Sequence, residues 1–151
     1  MNPNYFAFGS NLSEDQMRQR CPSAVLLGRA SLRGHRLVFA GFSWRWGGSV
    51  ASIVASPGER VPGLLYRVSP DDLLRLDRFE GAPFVYARHQ RRVLDGARTE
   101  RRAHVYELAV GARCGEPSLD YVLTILRAYR RHGLALDALS SALAFSREAS
   151  Q

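Results

Sequence analysis

Tyr5-Phe6-Ala7-Phe8-Gly9-Ser10-Asn11-Leu12 is the stretch on which the fold turns. Its four leading apolar or aromatic residues read as the first half of a buried strand. Gly9, Ser10 and Asn11 break that run, and Ser13-Glu14-Asp15-Gln16 opens a helix with capping-box spacing. A buried strand that ends in a glycine turn and feeds a helix leaves several backbone N–H groups unpaired and pointing one way. Such a nest suits an anion or a developing oxyanion. The same pattern also fits a plain strand–turn–helix corner, with Gly9 present for a positive φ and Ser10 or Asn11 as a cap.

Working outward, a helix over about Ser13 to Arg20 is stopped by Cys21-Pro22. Ala24 to Leu27 and Ser31 to Ala40 read as strand, interrupted at Gly28 and Gly34. The glycines of Gly41 to Gly48 mark a loop that also carries Phe42, Trp44 and Trp46. Ser49 to Ala55 is strand-like, Pro57-Gly58 is a turn signal, and Val61 to Val68 resumes the strand with a bulge or edge at Pro62-Gly63. Ser69-Pro70-Asp71-Asp72 opens a second helix, with Leu73, Leu74, Leu76 and Phe79 on its apolar side and Gly81 at its end. Val85 to Leu94 and Arg101 to Val110 form a hairpin around Asp95-Gly96. Pro117-Ser118 starts a third helix that Gly133 closes, with an apolar stripe of Leu119, Val122, Leu123, Leu126 and Tyr129. Leu134 to Phe145 reads as a further short helix, followed by a frayed tail from Ser146. Strands and helices are mixed rather than strictly alternating. The expectation is a single α+β domain over residues 1–151, a small mixed β-barrel with flanking helices.

The chain has 151 residues, enough for one domain with a real core. Its 46% hydrophobic and 23% charged residues place it among ordinary globular proteins. No apolar run approaches the roughly 18 residues of a membrane span. No basic segment precedes an apolar run at the start, so a secretory signal is not expected. Cys21 and Cys114 are far apart, with no CxxC and no His at zinc spacing, as in a cytoplasmic protein with reduced thiols. The net charge of +7 rests entirely on Arg, since Lys is absent. The densest groups, Arg88, Arg91, Arg92 and Arg98, Arg101, Arg102, flank the hairpin turn. A solvated hairpin explains them, so no specific nucleic-acid partner is expected.

Glu80 is the candidate catalytic residue. It stands at a helix C-terminus, where the partial negative charge disfavours a carboxylate, and beside Phe79, Ala82, Pro83 and Phe84. Both influences raise its pKa toward that of a general base working near neutral pH. A solvated Glu at a helix end is the plain alternative. Tyr86 and Tyr106 fall on neighbouring strands, from which both hydroxyls reach a shared pocket or simply water. The histidines form no triad or metal pattern, and no serine or cysteine sits in a nucleophile elbow.

In this order and spacing the motifs resemble the γ-glutamylcyclotransferase family. The resemblance runs from Tyr5 through Leu12, to Trp46-Gly47-Gly48 and Val50-Ala51-Ser52-Ile53, then Ser56-Pro57-Gly58 with Val61, Gly63 and Tyr66. It continues through Leu76-Asp77, Glu80-Gly81 and Tyr86 to Pro117-Ser118, Tyr121 and His132-Gly133-Leu134. It implies a small barrel enzyme that converts a γ-glutamyl-amine or γ-glutamyl-amino acid into 5-oxoproline and the free amine, with no cofactor and no metal. Glu80 corresponds to the family's catalytic carboxylate. The substrate-binding loop corresponds to Tyr5, Phe6, Ala7, Phe8, Gly9, Ser10 and Asn11, and Tyr86 and Tyr106 belong to the pocket. The implied partner is a small γ-glutamyl substrate, and the implied state is a cytoplasmic monomer or homodimer.

Two departures bear on substrate. Phe8 stands where the family commonly has Tyr, so a pocket hydroxyl is missing. The Gly-Ser-Asn form differs from the Gly-Ser-Leu of the glutathione-specific branch and the Gly-Thr-Leu of the γ-glutamylamine branch. Phe42 to Trp46 is expected to wall the leaving-amine side. Two other readings stay open at this point: removal of a γ-glutamyl protecting group from a specialised metabolite, and a non-catalytic binding module on the same fold.

Overall fold

Five strands close into a barrel in the order β1-β3-β2-β4-β5. The structure, a computed structural model, describes residues 2–151. The strands are β1 (Asn4–Ala7), β2 (Val25–Ser43), β3 (Gly48–Arg67), β4 (Tyr86–Asp95) and β5 (Glu100–Leu108). The helices are α1 (Glu14–Arg20), α2 (Pro70–Glu80), α3 (Leu119–His132) and α4 (Asp137–Ala149), and a 3-10 turn, Ser10–Leu12, joins β1 to α1. The expected α+β barrel is the one observed.

Closure depends on β1, which pairs antiparallel with Leu64 to Arg67 of β3 and parallel with β5 at His104. Phe6 and Ala7 are completely buried there against Gly63. A Cβ on Gly63 would stand 2.3 Å from the Ala7 carbonyl oxygen and 2.6 Å from the Phe6 ring. Glycine at this position lets two strand backbones approach. The Pro62-Gly63 pair makes no bulge: Pro62 faces Ser31 and Gly63 faces Ala30 in the ladder with β2, and β1 covers the other side of β3 only from Leu64.

The long hairpin of β2 and β3 corrects the local strand reading. Gly28 and Gly34 do not end β2; they sit at register shifts within one continuous strand. Pro57-Gly58 is likewise no hairpin turn. Arg33 faces Arg60 while His35 faces Ala55, so the residues between Ala55 and Arg60 bulge out opposite Gly34. Bulges add twist and curvature, which a sheet needs in order to close.

Helix limits follow their caps more closely than their stripes. Ser69 and Asp72 form a complete capping box at the start of α2. At α1 only half of the expected box forms: Ser13 Oγ accepts from the Gln16 amide at 3.3 Å. The Gln16 side chain turns instead to Ser10 and Asn11. The apolar side of α2 is narrower than expected, since Leu74 and Phe79 are more than half exposed. In α3 the buried face is Tyr121, Ile125, Ala128 and Tyr129, and Leu119 faces solvent. That set has the i, i+4, i+7, i+8 spacing of a single helix face. Helix α4 extends past Ser146, where the sequence predicts fraying, to Ala149, and Ser146 is buried.

Three arginines of the Arg-rich hairpin are charge-paired. Arg91 grips Glu107 through two bonds of 2.8 and 3.0 Å, Arg101 pairs with Asp95, and Arg88 pairs with Asp77. Among the described residues no helix is long and apolar enough to cross a membrane.

Gly63→Ala should be among the most damaging single-methyl additions in the chain, because backbone rather than a mobile side chain stands in its way. Overpacking of this kind costs about 1–3 kcal/mol, and the upper end is expected. Urea denaturation of the variant should show that loss, while Gly58→Ala, with open space around it, should lose only what its positive φ demands.

Candidate active site

The 3-10 turn, the end of α2, the β2–β3 turn and the first turn of α3 meet around a cavity of about 330 Å³. Glu80 is the last residue of α2, and Gly81 ends that helix in the left-handed conformation with φ 65°. A helix C-terminus ends in carbonyls without intrahelical partners, an unfavourable neighbour for a carboxylate. The Glu80 side chain is 16% exposed. Asn11 Nδ2 donates to Oε1 at 3.3 Å, and Arg20 Nη1 lies 3.6 Å from the same oxygen, beyond hydrogen-bonding distance. Burial pushes the Glu80 carboxyl above its ordinary range, and the charges of Arg20 and Arg45 offset that only in part. Burial likewise pulls Arg20 below its ordinary value.

The apolar setting of Glu80 is not the one read from its neighbours in sequence. Phe79 is 53% and Phe84 88% exposed. Phe79 instead stacks beneath the Arg20 guanidinium, 4.8 Å from its ring centroid. The buried walls of its cavity include Tyr5 and Tyr121, distant in sequence, and Tyr86, which follows shortly after the helix.

Asn11 holds this arrangement. Its Nδ2 donates to the Tyr5 hydroxyl at 2.9 Å as well as to Glu80, and its Oδ1 accepts from Gln16 Nε2 at 2.8 Å and Arg20 Nη1 at 3.2 Å. The donors on one side and acceptors on the other leave only one orientation for the amide. Burial and the nearby Glu80 charge raise the Tyr5 hydroxyl far above its ordinary value, so it stays protonated.

Of the residues singled out in the sequence, Tyr5, Phe8, Gly9, Ser10 and Asn11 line the cavity, as do Glu80, Tyr86 and Tyr106. Phe6 and Ala7 do not; they belong to the β1–β3 packing around Gly63. Gly9 has φ −113°, so a positive φ does not explain it. An added Cβ there would lie 3.2 Å from both Ala51 Cβ and the Tyr121 hydroxyl, and this close approach is what glycine permits. Among the described residues, neither Gly9 nor Ser10 donates its N–H to a backbone carbonyl.

The tyrosine hydroxyls are more committed than expected. β1 covers only the end of β3, which leaves the earlier part of that strand with an unpaired edge. There Tyr86 donates to the Ala51 carbonyl and Tyr121 accepts from the Ala51 amide, both at 2.8 Å. Tyr106 donates to Asp77 Oδ1 at 2.6 Å, and Arg88 Nε holds the same oxygen at 2.9 Å. Burial raises all three hydroxyls above their ordinary range. Sequence reasoning missed Arg20 and Tyr121 as cavity residues, and it expected the Phe42 to Trp46 loop as a wall without singling out Arg45. Gln16 and Arg20, four apart on one helix face, carried a signal for the first; Tyr121 reads as ordinary core. Among the described residues no cluster of three or more His, Cys, Asp or Glu is placed to hold a metal ion.

A family model described as "Gamma-glutamyl cyclotransferase, AIG2-like" matches residues 5–122, which contain every cavity residue named above. A Mus musculus protein named Gamma-glutamylcyclotransferase is 41% identical over 81 residues, covering 51% of this chain and 43% of that protein. A Homo sapiens protein of the same name is 30% identical over 138 residues, covering 88% of this chain and 73% of its own length. A solved structure described as a gamma-glutamyl cyclotransferase superposes with a TM-score of 0.87 at 27% identity, covering 94% of this chain and 86% of that one. The chain thus spans less than half the length of the mouse relative it matches.

Asn11→Ala should destabilise the fold by at least about 2 kcal/mol, since it strands several buried polar groups at once. Chemical denaturation checks this. A change of a few tenths of a kcal/mol would mean that water replaces the amide without cost and that the network does not hold the site.

Proposed function

The chain belongs to the gamma-glutamyl cyclotransferase, AIG2-like family, and we propose that it converts a γ-glutamyl amine or amino acid into 5-oxoproline and the free amine. In this reading the substrate's own α-amine is the nucleophile. Glu80, as carboxylate, takes a proton from that amine, whose nitrogen attacks the γ-carbonyl carbon and closes a five-membered ring. Protonated Glu80 then returns the proton to the leaving nitrogen as the amide C–N bond breaks. No water is consumed, and Glu80 ends as it began. Holding the glutamyl chain folded supplies much of the rate advantage, because the attack is intramolecular.

The observation that carries the reading is the carboxylate of Glu80, buried in the cavity wall and raised in pKa by that burial. A carboxyl shifted toward neutral pH both accepts and donates a proton readily there. Among the described residues the N–H groups of Gly9 and Ser10 have no carbonyl partner, although that of Ser10 is turned to the Tyr121 hydroxyl, and they suit either the glutamyl α-carboxylate or the oxyanion that develops on the γ-carbonyl. Burial works against a carboxylate that, among the described residues, has one long hydrogen bond and an ion pair at 3.6 Å. Such a setting costs stability, which favours an enzyme over a binding module that has no use for it.

Glu80→Gln should leave a folded protein that releases 5-oxoproline at least about a hundredfold more slowly. Mass spectrometry of 5-oxoproline from a panel of γ-glutamyl compounds checks this, and near-normal turnover would remove Glu80 from the mechanism. Within the loop, Ser10→Ala should be tolerated better than Gly9→Val. The hydroxyl of Ser10 is an acceptor for Gln16, whereas a Val side chain at Gly9 runs into Ala51 and Tyr121. Equal losses in the two variants would count against a backbone role for the loop.

A further inference from the structure

The cavity has two unlike sides. Glu80, Asn11 and the Gly9–Ser10 amides form a polar side, where the cyclotransferase reading puts the glutamyl group. The end of β2 and the β2–β3 turn contribute Phe42, Arg45 and Trp46 to the rest of the lining. These rings are braced. Phe42, though 60% exposed, meets Trp44 edge to face with centroids 5.1 Å apart. Trp46 meets Tyr121 in the same way at 5.0 Å.

Arg45 lies over the Trp46 ring, 5.6 Å from its centroid. Its charge acts on both Glu80 and Arg20, so it is within electrostatic reach of the reacting centre. The two cations differ in commitment. Arg20 is buried and held by Asn11, Glu80 and Phe79. Among the described residues Arg45 makes no ion pair with an acidic side chain.

Resting on the cyclotransferase reading, we propose that the β2–β3 turn selects a leaving amino acid with a large apolar side chain and a free carboxylate. Phe42 and Trp46 cover the side chain, and Arg45 pairs with the carboxylate. With the γ-carbonyl carbon placed at Glu80, the leaving nitrogen and its substituents extend away from the polar side and toward this turn. An aromatic wall gains from an apolar group that it desolvates. An unpaired guanidinium above one of those rings is a donor fork for a carboxylate. A γ-glutamyl derivative of a small or uncharged amine leaves one or both of these features unused.

Three substrates separate the contributions: γ-glutamyl-phenylalanine, γ-glutamyl-phenethylamine, which lacks only the leaving carboxylate, and γ-glutamyl-glycine, which keeps the carboxylate and lacks the benzyl side chain. In the purified protein, kcat/KM for 5-oxoproline release should favour the phenylalanine compound over each of the others by roughly tenfold or more. Arg45→Gln should abolish its advantage over phenethylamine, and Phe42→Ala should shrink its advantage over glycine. Both side chains are exposed, and circular dichroism verifies the fold. Equal kcat/KM for all three compounds overturns the proposal. So does an Arg45→Gln variant that slows the phenylalanine and phenethylamine compounds by the same factor, because Arg45 then grips the glutamyl half. If none of these compounds, nor γ-glutamyl-alanine, yields 5-oxoproline, the cyclotransferase reading itself falls, and this proposal with it.

Discussion

One buried amide ties the site together. Asn11, 3% exposed, bonds to β1 through Tyr5, to α1 through Gln16 and Arg20, and to the end of α2 through Glu80. A buried amide is costly when unpaired, so the short 3-10 turn that carries it is constrained by three elements at once. The same turn sets Gly9 and Ser10 with no carbonyl partner for their N–H groups. Position and polarity at the site are thus consequences of one satisfied side chain. The Glu80 carboxylate, by contrast, gains little: its single hydrogen bond is long, its ion pair is not in contact, and burial prevails.

The barrel supplies the rest. β1 is short, and it can reach β3 only because Gly63 carries no side chain. Its shortness leaves the edge at Ala51 open, and Tyr86 and Tyr121 fill that edge with their hydroxyls. Those two tyrosines then form cavity wall around Glu80. The strand that closes the barrel therefore also determines which groups desolvate the carboxylate, a link between topology and acidity that runs through backbone hydrogen bonding.

What could be read in the sequence was what local chemistry determines. The strand–turn–helix at Tyr5–Leu12, the capping box at Ser69–Asp72 and the glycine ends at Gly81 and Gly133 all depend on a few adjacent residues. Glu80 could be singled out for its helix end, yet of the apolar partners inferred from adjacency only Phe79 lines the cavity. Phe84 faces solvent, while Tyr5 and Tyr121 come from far along the chain. Gly28, Gly34 and Pro57-Gly58 looked like strand breaks because the curvature of a closing barrel, which turns them into bulges, is not a local property. The reason for Gly9 was similarly hidden. Its backbone lies at negative φ, and only the proximity of Ala51 and Tyr121 explains the missing side chain. Arg20 and Arg45 were two among 21 arginines; only the helix-face spacing from Gln16 marked the first, and the second lay unremarked within the Phe42 to Trp46 loop.

The role proposed for Glu80 rests on a carboxyl raised in pKa by burial in this cavity. It is tested most directly by following the Glu80 side-chain carboxyl by carbon-13 NMR as the pH of the free protein is raised, with Glu80→Gln to assign the signal. Because burial disfavours the charged form and Arg20 and Arg45 offset it only in part, ionisation should have its midpoint above the roughly 4.3 of an unperturbed glutamate. A midpoint at or below that value would mean that Arg20 and Asn11 stabilise the carboxylate more than burial penalises it. Glu80 would then be a structural ion pair, and its role as a base poised by burial would be contradicted.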